Sequence, residues 1–238
     1  MLFSRQIPLQ LTPRRDCRFD DYVAGPNEAV VRTLRQVADQ PGSHVFLFGG
    51  PGSGKTHLLN ALCHQTRERQ GRAFYLALKR LPKDAVASLQ GLQELDLVCV
   101  DDLHVIAGDE VWEEALFHCF NRIREADGRL VISSREHLSA LNLGLPDLAS
   151  RLSWGSCLQL MPLEDQDKLA VMELHSDALG ISLPVEVQQY LLKRHDRSMA
   201  ALIQTVENLQ RAALTNKRRI TVPLVREVLK AASVAEQP

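Results

Sequence analysis

Residues 44–56 read HVFLFGGPGSGKT, an apolar run that leads into a glycine-rich turn. The run has the length and composition of a buried strand, and the residues that follow, THLLNALCHQTRER (56–69), have helical spacing. Between the two lies the pattern G-x-x-x-x-G-K-T. Its glycines permit backbone torsions that turn several N–H groups inward, and the start of a helix adds positive potential. The stretch therefore predicts a phosphate-binding loop, in preference to a chance glycine-rich turn.

Each residue of this loop is a candidate for nucleotide binding. Lys55 can reach the β- and γ-phosphates, and the Thr56 hydroxyl can ligate Mg²⁺. His57 follows inside the helix, where the alternative is a packing or surface residue. The candidate set is Gly49, Gly50, Pro51, Gly52, Ser53, Gly54, Lys55, Thr56 and His57.

A second apolar run, LVCVDD (97–102), ends in two carboxylates. The carboxyl end of a strand is where a parallel sheet places ligand chemistry, although a solvated strand end is the alternative. Asp101 is expected to hold Mg²⁺, through water. Asp102 stands where many ATPases with a phosphate-binding loop use Glu to orient the attacking water. Because Asp is one methylene shorter, we expect slow hydrolysis.

Short apolar strands alternate with helices in the first two thirds of the chain. Further strands are predicted at 72–78, 128–134 and 156–163, and helices at 28–39 and 109–126. This alternation is typical of a parallel sheet with helices on both faces. After Pro162, four helical segments follow without a strand. The prediction is an α/β base followed by a small all-α domain.

The composition excludes several classes of protein. The 238 residues are 45% hydrophobic and 24% charged, with a net charge of −1, so the whole molecule is not a general polyanion binder. Five scattered cysteines without a C-x-x-C pair indicate buried thiols in a reducing compartment and argue against a metal site. No apolar run approaches the ~20 residues that span a bilayer, and no secretory signal is evident, so a cytoplasmic location is expected.

Several stretches together resemble the ATPase domain of the bacterial replication initiator DnaA. They are CRFDDYVAGPNEAVVRTLRQVAD (17–39), FLFGGPGSGKTHLLNAL (46–62), LVCVDDLHVI (97–106), ALFHCFNRI (115–123) and LPDLASRLSWG (145–155). The resemblance implies an AAA+ fold: a P-loop base with a five-stranded parallel sheet over 18–162 and a helical lid over 163–238. It also implies ADP or ATP as cofactor, with Mg²⁺ held through Thr56 and Asp101.

A lone ATPase domain that ends at Pro238 is similar to the Hda family, the regulatory inactivators of DnaA. This implies negative regulation of replication initiation by stimulating hydrolysis of the ATP bound to DnaA. The implied partners are DnaA and the β sliding clamp of DNA polymerase III, and the chain would contact DNA mainly through the clamp. No membrane is implied as a partner, and the chain could also form homo-oligomers. Arg151 falls in the arginine-finger motif and is expected to act in trans; the alternative is a salt bridge to Asp147 or Glu164.

The amino-terminal tail, residues 1–17, carries QIPLQL at 6–11. This hexapeptide is similar to the clamp-binding peptide of the Hda family, with Gln10 where proline is more usual. Its aliphatic side chains would fill pockets on the clamp, and proline lowers the ordering cost of an extended peptide. The alternative is a tail that packs on its own domain. The clamp-binding candidates are Gln6, Ile7, Pro8, Leu9, Gln10 and Leu11.

Two sensor positions depart from the family pattern. Ala200 stands where the lid usually carries an arginine, with Arg197 one turn earlier as a candidate substitute. Arg135 stands where a polar or acidic residue is usual, with Ser134 beside it as the candidate sensor. We therefore expect weak or no ATPase activity of the chain itself. The alternatives are an AAA+ helicase loader, a stand-alone ATP-hydrolysing enzyme, and a non-catalytic adaptor between initiator and clamp.

Overall fold

The computed structural model describes residues 17–194, 198–216 and 218–235, which form two compact units. Unit 1 comprises residues 17–20, Ala29–Gly49 and Gly54–Leu160. Unit 2 comprises Asp21–Glu28, Gly50–Ser53 and the described residues from Met161 onward. The domain bounds given above, 1–17, 18–162 and 163–238, stay a prediction.

Unit 1 is built on a five-stranded parallel sheet with the order β2-β3-β4-β1-β5. Its registers pair Phe48 of β1 with Ser134 of β4, and Val45 of β1 with Ser156 of β5. All carboxyl ends therefore meet at one edge of the sheet. The strands are β1 (His44–Phe48), β2 (Ala73–Ala77), β3 (Leu97–Asp101), β4 (Arg129–Ser134) and β5 (Ser156–Gln159).

Helices cover both faces of this sheet. Phe46 and Ile132 pack with helix α3 on one face, whereas the alternate residues, such as Leu47 and Val131, point to the other. Helix α2 packs on β2 and β3 and is buried through Leu58 and similar residues. The helices are α1 (Glu28–Val37, all but its first residue in unit 1), α2 (Lys55–Glu68), α3 (Glu110–Glu125) and α4 (Pro146–Leu152).

Unit 2 contains the four helices predicted after Pro162. Apolar residues at helical spacing, among them Met172, Leu191, Leu202 and Val225, form their common core. The helices are α5 (Asp165–Ala178), α6 (Val185–Arg194), α7 (Met199–Asn216) and α8 (Val222–Ala235). In the described part of the chain, no helix is both long and apolar enough to cross a membrane.

Asn27 directly precedes α1, but its side chain bonds to the backbone of Met161 instead of capping the helix. A 3-10 turn, Gly25–Asn27, runs directly into the helix. The buried Asn27 amide instead donates to the carbonyl oxygen of Met161 (3.0 Å) and accepts from the N–H of Met161 (2.7 Å). Within unit 2, this pair fastens the segment before α1 to the strand-to-helix connection before α5.

The cysteines differ in environment. Cys63, Cys99 and Cys119 are buried thiols, as expected, and burial raises the pKa of Cys119 to about 11. Cys157 departs from the expectation because it lies exposed on the edge strand β5.

Candidate nucleotide site and arginine surface

The glycine-rich turn joins β1 to α2, as its sequence predicts. Gly52 (φ 74°) and Gly54 (φ 90°) adopt the left-handed conformation that glycine takes at little cost. In unit 1, the Gly49 N–H donates to the carbonyl oxygen of Ser134 (3.3 Å), which ties the start of the turn to β4. In unit 2, the Tyr22 hydroxyl donates to the carbonyl oxygen of Ser53 (3.1 Å). Burial raises the pKa of Tyr22 to about 12, so it stays a neutral donor.

Lys55 folds back over the turn that precedes it. Its Nζ donates to the carbonyl oxygen of Gly49 at 2.6 Å, and the residue is buried. Burial lowers the pKa of Lys55, while the carboxylates of Asp101 and Asp102 raise it. The ammonium group is thus held at the turn by a carbonyl and by nearby negative charge, in the position from which a lysine of this kind reaches phosphate oxygens.

Asp101 ends β3 and is almost fully buried. Its Oδ2 accepts hydrogen bonds from the Thr56 hydroxyl (2.6 Å) and from the Tyr75 hydroxyl (2.7 Å). Its Oδ1 accepts a hydrogen bond from the Ser133 hydroxyl. Burial, and then the carboxylate of Asp101, raise the pKa of Tyr75. Three hydroxyl donors from three elements therefore fix one carboxylate beside the phosphate turn.

The oxygens of Thr56 and Asp101 suit a hard divalent cation. A hydroxyl and a carboxylate in contact are the donor types that Mg²⁺ selects, usually with waters and phosphate oxygens completing the set. The Lys55 ammonium, which lies 2.6 Å from the carbonyl oxygen of Gly49, suits the phosphates. The residues present therefore fit a Mg²⁺–nucleotide complex.

Asp102 adopts a left-handed backbone (φ 65°, ψ 45°) that is uncommon for a residue with a side chain. Its N–H donates to Ser133 Oγ (3.1 Å), and its Oδ1 lies 4.0 Å from Nδ1 of His104. Such strained backbone is often found at functional sites.

Ser134 and His57 make contacts other than with Asp101. Ser134 is buried, and its Oγ accepts from the N–H of Glu136 (3.4 Å), so Ser133, not the candidate sensor Ser134, contacts Asp101. Nε2 of His57 lies 2.8 Å from the carbonyl oxygen of Arg18. Arg197 and the clamp-binding candidates 6–11 lie outside the described residues.

Arg151 lies at the edge of the unit 1 sheet opposite to Asp101, where the amino ends of the strands meet. It belongs to the last turn of α4, and the chain enters β5 shortly afterwards, at the amino ends of the strands. With a rise of about 3.3 Å per residue, the five residues of β1 separate the two edges by roughly 15 Å. Gly155 permits this turn because a Cβ there would overlap the carbonyl oxygen of His44.

Two aromatic rings lie beside the Arg151 guanidinium. Its carbon lies 4.0 Å from the centre of the Trp154 ring and 5.9 Å from that of Phe117. Arg124 faces the same Trp154 ring at 4.8 Å. Among the described residues, Arg151 makes no ion pair with Asp147, which was the alternative role within this helix. The arginine is therefore supported by rings, and no carboxylate of α4 neutralises it.

Sequence reasoning missed three residues that shape these sites. Ser133 and Tyr75 contact Asp101, as described above. The third, Glu113, is fully buried in α3 and accepts from the N–H groups of Gly108 (2.6 Å), Gly144 (3.2 Å) and Leu145 (2.7 Å). Because Leu145 directly precedes α4, Glu113 fixes the start of the helix that carries Arg151.

A phosphate turn, an acidic strand end and a five-stranded parallel sheet, with a helical second unit, define a P-loop protein of the AAA+ class. Residues 14–159 match the family model described as the bacterial DnaA ATPase domain, and the chain belongs to this family. Residues 165–229 match the model of the Hda lid domain. The chain is thus a Hda/DnaA-like AAA+ protein of a family of replication-initiation regulators.

Solved structures support the same fold. Domain III of the replication initiation protein DnaA from Thermotoga maritima is 24% identical, with 92% of this chain and 97% of that chain covered and a TM-score of 0.82. AMPPCP-bound DnaA from Aquifex aeolicus is 20% identical (83% and 66% covered, TM-score 0.69). The Holliday junction branch migration motor RuvB from Thermotoga maritima is 17% identical (90% and 73% covered, TM-score 0.65). The predicted AAA+ fold, with its five-stranded parallel sheet and helical lid, is confirmed.

Proposed function

We propose that this chain is a negative regulator of replication initiation that stimulates hydrolysis of the ATP bound to DnaA. It acts together with the DNA-loaded sliding clamp and supplies Arg151 in trans, which leaves DnaA in the inactive ADP form. Membership of the DnaA ATPase family and the match to the Hda lid support DnaA as the partner.

The single observation that carries this proposal is the position of Arg151. Within unit 1, it lies at the amino ends of the strands, whereas Lys55, Thr56 and Asp101 lie at the carboxyl ends. An arginine at this distance from Lys55 and Asp101 of its own unit favours action on the nucleotide of another molecule. There, a guanidinium stabilises the charge that develops as water attacks the γ-phosphorus and ADP departs, an effect worth ~10³–10⁵ in rate.

The chain's own nucleotide site has a separate role in this proposal. The phosphate turn, Lys55, Thr56 and Asp101 would hold ADP or ATP with Mg²⁺, which supplies charge compensation for the phosphates when bound. AMPPCP in a related DnaA structure supports an adenine nucleotide. The short side chain of Asp102 favours weak or absent hydrolysis, so the bound nucleotide serves to set a conformation of the lid.

Tethering to the clamp would raise the local concentration of this chain around DnaA without new contacts between the two. The candidate tether is the hexapeptide at 6–11, and the protein would reach DNA mainly through the clamp. Changing Leu9 and Leu11 together to Ala is expected to abolish capture of the chain by immobilised clamp and to leave nucleotide binding unchanged. Normal capture would remove the tether from the proposal.

The deciding experiment follows ATP labelled on DnaA in a mixture of DnaA, DNA-loaded clamp and this chain. The expected result is faster conversion to ADP with the wild-type chain and none beyond background with Arg151→Ala. Arg69→Ala is the matched control, because among the described residues the Arg69 side chain engages only Asp39, in an exposed ion pair. Normal stimulation by Arg151→Ala would refute the catalytic role and favour an adaptor. Capture of a replicative helicase instead of DnaA would favour a helicase loader.

A further inference from the structure

Exposed cations are concentrated in the last three helices of unit 2 and in the loop before α8. The described ones are Lys193 and Arg194 at the end of α6, Arg218 and Arg219 before α8, and Arg226 and Lys230 within α8. Helix α5 is acidic by contrast, with Asp165, Asp167, Glu173 and Asp177 against Lys168. The charge of the lid is therefore divided between two regions, although the whole chain is close to neutral.

A contact between α6 and α8 brings several of these cations to one surface. Arg226 Nε donates to the Tyr190 hydroxyl (3.3 Å), and the guanidinium carbon lies 5.5 Å from the centre of the Tyr190 ring. Lys193 and Arg194 follow Tyr190 by one helical turn, and Lys230 follows Arg226 by one turn. Residues three or four apart are neighbours on a helix surface, so these cations lie beside the contacting pair. We call the surface formed by these five residues the α6–α8 face.

The carboxylates near the α6–α8 face do not neutralise it. Glu186 lies in the first turn of α6, two turns from Arg194. Glu227 of α8 is engaged by Arg218, with 3.6 Å between Oε2 and Nη1. Neither Lys193 nor Arg194 forms an ion pair with another residue in the described ranges. The face therefore keeps a positive charge that attracts anions.

The α6–α8 face is suited to phosphates rather than to bases. Tyr190 is the only Phe, Trp or Tyr in the sequence from residue 161 onward, and its ring is engaged by Arg226. Proteins that bind single-stranded nucleic acid generally offer aromatic rings on which successive bases stack. Exposed lysine and arginine side chains spaced by a helical turn instead suit the backbone of a duplex, which is bound largely through its phosphate charges.

We propose that the α6–α8 face of the lid binds the phosphate backbone of duplex DNA without preference for its sequence. This gives the chain a DNA contact of its own, in addition to the contact through the clamp. The Arg226 guanidinium, oriented by Tyr190, can form paired hydrogen bonds to a phosphate, whereas Lys193 and Arg194 add charge beside it. The inference does not depend on the clamp, on DnaA or on Arg151.

The test measures binding of the full chain to a short fluorescein-labelled DNA duplex by fluorescence anisotropy, without clamp or DnaA, at several salt concentrations. The wild type is expected to bind with a Kd in roughly the micromolar range at low salt and to weaken as salt rises, because binding releases counterions. Lys193→Gln combined with Arg194→Gln should weaken binding about tenfold and lower the slope of log K against log salt by about two. Arg226→Gln alone should lower that slope by about one.

The matched control is Arg69→Gln combined with Arg72→Gln, which removes the same net charge from unit 1. Exposed ion pairs with Asp39 and Asp96 compensate these two arginines. The control should bind the duplex like the wild type. Thermal unfolding checks that each variant folds, as expected for substitutions at exposed positions.

Three results would overturn the inference on the duplex itself: no binding by the wild type at low salt, no loss in the α6–α8 variants, or an equal loss in the control. Tighter binding of a single strand of the same length would also overturn it, since stacking would then contribute. If poly-glutamate bound as tightly as the duplex and lost affinity in the same variants, the face would fit an acidic protein instead. None of these results would affect the proposed action of Arg151, which is tested by hydrolysis on DnaA.

Discussion

Arg151 and Trp154 form a stacked pair at the amino edge of the sheet, with the guanidinium carbon 4.0 Å from the centre of the ring. They are three positions apart in the chain, and the Trp154 N–H donates to the carbonyl oxygen of Arg151 (3.2 Å). Trp154 is nevertheless 53% exposed. Arg151 is itself half-buried, so the indole restrains the guanidinium while part of the side chain stays accessible, as the proposed action on another molecule requires.

Trp154→Ala is therefore expected to slow the proposed stimulation of DnaA without unfolding the chain. A cation–π contact at an exposed site contributes about 0.5–1 kcal/mol, so the loss of rate should be about two- to fivefold. Trp154→Phe should retain part of the activity. The measurement is the rate of ADP formation on DnaA with loaded clamp.

The control for this variant is Val111→Ala, which removes another exposed apolar side chain of unit 1 away from Arg151. It should stimulate like the wild type. If Trp154→Ala did so as well, the ring would have no part in presenting Arg151.

Ser133→Ala is expected to destabilise the fold. The buried Ser133 hydroxyl donates to Asp101 and accepts from the Asp102 N–H, so the variant leaves both groups short of a partner. The cost should be about 1–3 kcal/mol in the free energy of unfolding, measured by urea denaturation at neutral pH. Ser153→Ala, at an exposed serine with only a local bond, should change it little. A denaturation midpoint equal to that of the wild type would contradict the role of Ser133.

Glu113→Gln tests the buried carboxylate that holds the loops before α4. Glu113 accepts three backbone N–H groups, whereas the glutamine amide would turn a donor toward at least one of them. We expect a loss of about 1–3 kcal/mol in the free energy of unfolding, again by urea denaturation. The neighbouring Glu114 is 68% exposed, so Glu114→Gln should be close to neutral. Equal stabilities of the two variants would show that Glu113 is not needed to fix these loops.

The elements of the fold follow from the sequence because their signals are local. Each predicted strand is an apolar run, and the phosphate turn combines glycines with a following helix in a fixed spacing. The helical lid is likewise visible as apolar residues at helical intervals. These features depend on backbone conformation and on which face of an element is buried. The order of apolar and polar residues along the chain indicates both.

The side-chain partners within the sites were harder to predict because they depend on which strands become neighbours. Ser133 and Ser134 both end β4, and alternation sends one to each face, but the sequence does not tell which one meets Asp101. Asn27 is a residue type that often caps helices, yet its side-chain amide bonds to the backbone of Met161, which is distant in sequence. Glu113 reads as a polar position of an amphipathic helix, although its carboxylate is buried by two loops that lie close to it only in the fold.

The last prediction concerns acid stability and His44. Its ring packs against Phe120 with centroids 4.7 Å apart, and neither ring nitrogen has a hydrogen-bond partner among the described residues. Burial, and then the charge of Arg124, lower the pKa of His44 from its ordinary value of 6.5. The unfolded chain therefore binds a proton more readily than the folded one, so stability is full above about pH 6.5 and falls as the pH drops toward the folded-state pKa. His44→Phe should therefore raise the melting temperature relative to wild type more at pH 5 than at pH 8. It should remove the acid sensitivity only in part, because burial also lowers the pKa of His104. His118→Phe, at an exposed histidine, is the control, and a difference between wild type and His44→Phe that did not change with pH would contradict the prediction.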